Sequence, residues 1–160
     1  MVKKIFVGIL IITLSFIGVS KVEAKSYSID KVKIDMEMDR NGMVNVVESR
    51  TYNFDGDYTF AYVEIDKKGA RSQEYILNNF SVCDETSCYR ELADGEINAA
   101  DTNRPAGTFY VQNRGSSYYI KWFYRANNTN RVFNLGYVIE NGLTKQGEVV
   151  EFYWKFVGDR

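Results

Sequence analysis

Histidine is absent from all 160 residues, and only two cysteines and one proline occur. Each scarcity excludes something. Without imidazole the usual general base is missing, so neither a Ser-His-Asp nor a Cys-His nucleophile system can be assembled. Two thiols fall short of the four ligands that a structural zinc site takes, and no residue pattern calls for an organic cofactor. Lys and Arg nowhere gather into a stripe, so neither a nucleic acid backbone nor an anionic membrane surface is an expected electrostatic partner. Helical patterning is scarce too. Beyond Ala24 no segment keeps an apolar i, i+3, i+4, i+7 spacing over three turns.

The one long apolar run stands at the start. Lys3 and Lys4 precede Ile5 to Val19, and a short polar tail ends with Val22 and Ala24, small residues at the positions signal peptidase reads. A helix of that run would reach about 22 Å, short of the ~30 Å hydrocarbon core a spanning helix must cross. The sequence therefore predicts a cleaved signal peptide helix over residues 1–24 and one exported domain over 25–160. Residues 1–24 hold three of the 20 basic and one of the 21 acidic residues, which leaves 17 and 20 and a net charge of −3. That balance again favours no polyanionic partner.

What remains is rich in strand-forming residues, with all 12 tyrosines of the chain and both tryptophans. Val32, Ile34, Met36 and Met38 alternate with Lys31, Lys33, Asp35 and Glu37, the period of a strand with one wet face. Asn41-Gly42 marks a hairpin into a second strand over 43–54; Asp55-Gly56-Asp57 reads as a turn into a third over 58–65; a fourth is expected over 74–82. Residues 84–107, sparse in apolar side chains, read as a long irregular connection. Asn113-Arg114-Gly115 predicts a hairpin between 108–111 and 118–124, and Asn141 to Gly147 another between 131–139 and 148–157. Seven or eight short strands so spaced predict an all-β, antiparallel β-sandwich of immunoglobulin-like architecture.

With those strands in place, several stretches resemble a known family. They are Ser26-Tyr27-Ser28-Ile29-Asp30, the Asn41-Gly42 hairpin into Val46-Val47-Glu48, Tyr52-Asn53-Phe54-Asp55-Gly56-Asp57-Tyr58, Tyr137-Val138-Ile139-Glu140-Asn141, and Phe152-Tyr153-Trp154-Lys155 with Gly158. Over nearly all of residues 26–160 the chain resembles the extracytoplasmic N-terminal domain of the YciQ-like predicted membrane proteins (domain of unknown function 2207). The resemblance implies a β-sandwich outside the membrane and no reaction. It departs at Val63 and Asp66, where the family carries Arg and Pro, so no role resting on that Arg transfers. Members continue into membrane-spanning helices, and the chain reads as a C-terminally truncated member or as one that docks its apolar last strand on a partner. Membrane contact is expected only through the signal segment or a missing C-terminal part.

Cys83 and Cys88 flank four polar residues in an exported domain, and a local disulfide is expected, worth roughly 2 kcal/mol by chain entropy. Asp55 with Asp57, and Asp84 with Glu85, are the only acid pairs suggestive of hydrolysis. They are neighbours in turns rather than carboxylates facing each other about 5–9 Å apart, so they read as loop caps. The same Asp-Gly-Asp turn is too short for a dedicated calcium loop. Tyr118, Trp122 and Tyr124 form a candidate recognition surface, against the alternative that they fill a sandwich core. The expected function is a non-catalytic extracytoplasmic interaction or sensory domain meeting a protein or envelope component. A cell-envelope carbohydrate-binding module is the alternative, and a carboxylate-dependent hydrolase a distant one.

Overall fold

The computed structural model describes residues 24–68 and 74–155. The expected signal peptide, apart from Ala24, and Phe156 and Val157 of the expected last strand lie outside the described residues. The domain is all-β and sandwich-like, as its alternating segments require, with eight strands among the described residues. They are β1 (Ser26–Met38), β2 (Val44–Asp66), β3 (Ile76–Cys83), β4 (Arg90–Glu91), β5 (Thr108–Asn113), β6 (Ser117–Glu140), β7 (Leu143–Gln146) and β8 (Val149–Phe152). One short helix, α1 (Ile97–Asn103), follows a 3-10 turn at Asp94–Glu96.

Two long strands organise it. β2 pairs antiparallel with β6 from Val44↔Ile139 to Asp66↔Ser117, and the register slips twice, between Phe54 and Asp57 and between Tyr58 and Phe60. The expected turn at Asp55-Gly56-Asp57 is therefore a bulge inside a single strand. Gly56 takes φ +97°, which suits a bulge as well as a turn, and its N–H donates to Asn128 Oδ1 at 2.7 Å on the facing strand. Likewise the two strands expected over 118–124 and 131–139 are halves of β6. Tyr124 and Phe133 have ring centroids 4.7 Å apart. In a straight strand nine residues would span about 30 Å, so β6 folds back on itself here.

That bend makes the sandwich from one continuous six-stranded sheet. One layer holds β1, the first half of β2, the second half of β6, and β3. The other holds the remaining halves of β2 and β6, with β5 and β4. Between them lie Val44, Val46, Tyr52, Phe54, Leu77, Val82, Phe109, Ile120, Trp122, Tyr124, Phe133, Leu135, Tyr137 and Ile139, all buried.

Two connections differ from expectation. Residues 84–107 are built into the fold: Leu92, Ile97 and Ala100 pack on Tyr110 and Phe123, on the outer side of the second layer. Three apolar side chains suffice because the rings beneath supply the area. The final hairpin is β7 with β8, in register Gln146↔Val149 to Leu143↔Phe152, and not a pairing of β6 with the last segment. Asn141 in the left-handed region (φ 58°) breaks the chain away from β6, and Gly147 (φ 61°) makes the ribbon's turn. β8 is consequently no interior strand: Val149 and Val150 are exposed, while Phe152 and Trp154 rest partly buried on the core.

Candidate functional site

Strand alternation divides the aromatic residues of β6 between two environments. Tyr118, Trp122 and Tyr124 point inward. Trp122 and Tyr124 are each 2% exposed, and Tyr118 is half-buried against Phe80, with the Lys67 ammonium 4.6 Å from its ring centre. Trp122 and Tyr124 therefore fill the sandwich core, the alternative reading for these positions, and offer no open ring face for recognition.

The opposite face of the same strands is outside. Tyr62 on β2 stands opposite Lys121, and Glu64 opposite Tyr119, which in turn faces Gln112 on β5. α1 covers one end of this face and leaves the other bare. Tyr62 is 59% exposed, and its ring lies 5.3 Å from that of Tyr119. The Arg114 guanidinium sits 3.6 Å from the centre of the Tyr119 ring, a cation–π contact. Lys121 donates to Asp101 Oδ1 of α1 at 2.8 Å and lies over Phe60. Ser117 donates to Glu64. Burial raises the Tyr119 hydroxyl pKa against the pull of the Arg114 charge, so near neutrality it is a neutral donor. Two rings with a stacked cation, an amide and a carboxylate beside them can bind a planar or sugar-like face, or anchor a protein contact. A signal for this face was available in the sequence: Lys121 and Arg125 share the alternation of Tyr119 and mark the wet side.

The acid pairs serve the fold. Asp84 is a hub: its Oδ1 accepts from Thr86 N–H, Thr86 Oγ1 and Ser87 N–H, and its Oδ2 from Tyr89 at 3.0 Å and Arg131 Nη2 at 2.6 Å. Glu85 accepts from the Val132 N–H and lies 3.4 Å from Arg131 Nε. The loop they clamp to β6 is closed by the Cys83–Cys88 disulfide, S–S 2.03 Å. Asp57 accepts from Asn127 across the bulge, and among the described residues no three acids, thiols or imidazoles gather to hold a metal.

Burial alone would raise the Asp84 carboxyl, but the bonds from Thr86, Ser87 and Tyr89 outweigh it and bring the pKa from 3.8 down to about 2. A depressed acid pKa stabilises the fold above the unfolded value and loses that contribution as pH falls from about 4 through 2. Asp84→Asn should therefore lower stability at pH 7 by about 1–2 kcal/mol and flatten the acid limb between pH 4 and 2. Denaturant midpoints across that range measure it; an unchanged acid limb would refute the assignment.

A second buried carboxylate sits deeper. Glu48 is 1% exposed on the inner face of β2. It accepts from Tyr137 Oη and Arg50 Nη2, both at 2.6 Å, and Tyr137 Oη accepts from Trp154 Nε1 at 3.3 Å. Burial first, then the Glu48 charge, push the Tyr137 hydroxyl pKa up; for Arg50 burial works downward but the Glu48 contact prevails and raises it. No sequence pattern announces this four-residue network, although Glu48, Tyr137 and Trp154 all lie within stretches that carry the family resemblance. It ties the segment after β8 to both long strands.

Among the described residues no helix is long and apolar enough to cross a membrane. No curated protein matches the chain. The family model of the predicted membrane protein (DUF2207) N-terminal domain matches residues 28–160, and the chain belongs to that family.

Proposed function

We propose that this domain is a non-catalytic interaction or sensory module, held on the outer side of the cytoplasmic membrane, that meets a protein or other envelope component. The observation that carries the reading is the Tyr62–Tyr119 pair with Arg114 stacked on it, an exposed aromatic and cationic cluster of the kind that anchors interfaces. Support also comes from what the other polar groups are doing. Asp84, Glu85 and Asp57 are engaged in holding loops and bulges, leaving no facing acid pair among these candidates for hydrolysis. The disulfide is consistent with an oxidising compartment.

The same cluster supports a second reading, a carbohydrate-binding module, since paired tyrosines stack on sugar rings. Two measurements on the exported protein separate them: a glycan array, and capture from a photo-reactive residue placed at position 62. The first reading expects a defined protein adduct and no Tyr62-dependent glycan. Glycan binding weakened about tenfold or more by Tyr62→Ala would replace it with the second, since loss of one stacking contact is worth about 1.4 kcal/mol.

A further inference from the structure

β1 ends the sheet. It pairs with β2 on one side only, and among the described residues nothing pairs with its other edge. Its inward-pointing row is also uncovered. Val32, Ile34, Met36 and Met38 stand opposite Arg50, Glu48, Val46 and Val44 and so share the core face. Val44 and Val46 are 1% exposed, yet Val32, Met36 and Met38 are 40–50% exposed, because the second layer does not reach over β1. β1 has a bulge between Ile29 and Lys31 and pairs regularly from Lys31 to Met38; a strand with apolar residues on one face and an open row of backbone donors and acceptors is a template for another strand.

The outer row of β1 indicates which strand. Lys31, Lys33, Asp35 and Glu37 lie opposite Thr51, Ser49, Val47 and Asn45, on the wet face. Charges on an edge usually deter pairing. Here two bases are followed by two acids, symmetric about Ile34. If a second copy of β1 is laid antiparallel with Ile34 opposite Ile34, Lys31 meets Glu37 and Lys33 meets Asp35, each twice. Val32 meets Met36 twice on the apolar face. Sliding the copies to centre on Lys33 or Asp35 sets those like charges against each other. A one-residue slip puts the apolar row of one copy on the wet side. Of these registers only the Ile34-centred one sets each of Lys31, Lys33, Asp35 and Glu37 against its opposite charge and Val32 against Met36, with Met38 falling opposite Asp30 at the bulge.

We propose that the protein self-associates through its first strand, two copies of β1 pairing antiparallel about a twofold axis at Ile34 to extend the sheet across the dimer. Such an interface is isologous and closes on itself, so it gives a dimer and not a fibre. The ion pair now joining Lys33 to Asp35 within one chain, at 2.6 Å with side chains 61% and 57% exposed, exchanges for cross-strand pairs at little cost. One strand pair is a small interface, so the expected dissociation constant is about 10–100 µM. The inference is independent of the role assigned to Tyr62 and Tyr119, which lie on the other layer.

The test uses the exported protein made from the full chain. Ile34→Cys places a thiol on the axis, where directly opposed side chains lie about 5 Å apart; Lys31→Cys places it six residues off register, about 20 Å from its copy. Mild oxidation should yield a covalent homodimer from Ile34→Cys and none from Lys31→Cys. Charge provides the second arm. Lys31→Glu with Lys33→Asp makes an all-acidic row, and Asp35→Lys with Glu37→Lys an all-basic one. By light scattering, each should self-associate about tenfold more weakly than the wild type or worse, and a one-to-one mixture should recover the dimer. All these positions except Ile34 are surface charges, so folding is retained and can be checked by near-ultraviolet dichroism. A wild-type monomer at about 100 µM, equal cross-linking at positions 31 and 34, an adduct of position 34 with another protein or another part of its own chain, or a mixture that stays monomeric would each overturn the proposal.

Discussion

Glu48→Ala should destabilise the domain by about 3–5 kcal/mol, the range for removing one partner of a buried ion pair. The loss has two sources. Arg50, whose side chain is 16% exposed, keeps its charge with no carboxylate beside it, and its Nε is already buried without a partner. Tyr137, 2% exposed, loses the acceptor of its hydroxyl. An unsatisfied buried donor costs about 1–3 kcal/mol by itself. Glu48→Gln keeps an acceptor for Tyr137 and removes only the charge, so it should cost less, about 2 kcal/mol. The discriminating variant is Glu48→Leu combined with Arg50→Met, which removes both charges together and should recover most of the loss. Urea unfolding of the protein measures all three. A single-variant loss below about 1 kcal/mol would mean that water reaches the network around Glu48 and that it contributes little to stability.

Local signals were enough for β1, the β5–β6 hairpin and the Cys83–Cys88 bond, whereas features set by remote partners were not legible. β1 and the β5–β6 hairpin could be read because alternation and the Asn113-Arg114-Gly115 turn are local signals; there Asn113 Oδ1 accepts from the Gly115 N–H at 3.1 Å. The Cys83–Cys88 bond could be read for the same reason. Gly56 could not be resolved locally. A glycine with positive φ flanked by acids suits a turn and a bulge equally, and the choice is made by Asn127 and Asn128, about seventy residues away, which bond Asp57 and Gly56. Once that bulge is misread as a turn, one long strand becomes two, and the matching bend in β6 becomes a second break. A sandwich made by folding one sheet then looks like one assembled from many short strands.

Of the two readings open for Tyr118, Trp122 and Tyr124, the packed core holds for Trp122 and Tyr124, while Tyr118 is half-buried. Alternation with Tyr119, Lys121, Phe123 and Arg125 assigns the two faces, and a row holding two cations is the wetter one. Phe123 in that row is fully buried because α1 lies over it. No local pattern in residues 84–107 announced that cover, since a seven-residue helix with two buried positions carries too little periodicity to recognise.

The bend in β6 also locates the most sensitive core position. Phe133, 2% exposed, has its ring within 6.5 Å of four others. Trp122 and Tyr124 come from the first half of its own strand, Tyr52 from β2, and Tyr89 from just after the disulfide loop. Removing it opens a cavity where the two halves of the sheet meet, and large rings around it cannot all move inward without leaving their own contacts. Phe133→Ala should therefore cost about 3–5 kcal/mol, and Phe133→Leu, which keeps most of the volume, about 1–2. Trp122 reports the event independently, since its ring meets Phe133 at 5.7 Å and its emission should shift as the cavity admits motion or water. Tyr153→Ala is the control. That ring is 58% exposed, and its loss should fall within about 0.5 kcal/mol of zero. If Phe133→Ala and Tyr153→Ala shifted the urea midpoint equally, the two halves of the sheet would not be packed against each other at this point, and the folded-back course of β6 would be wrong.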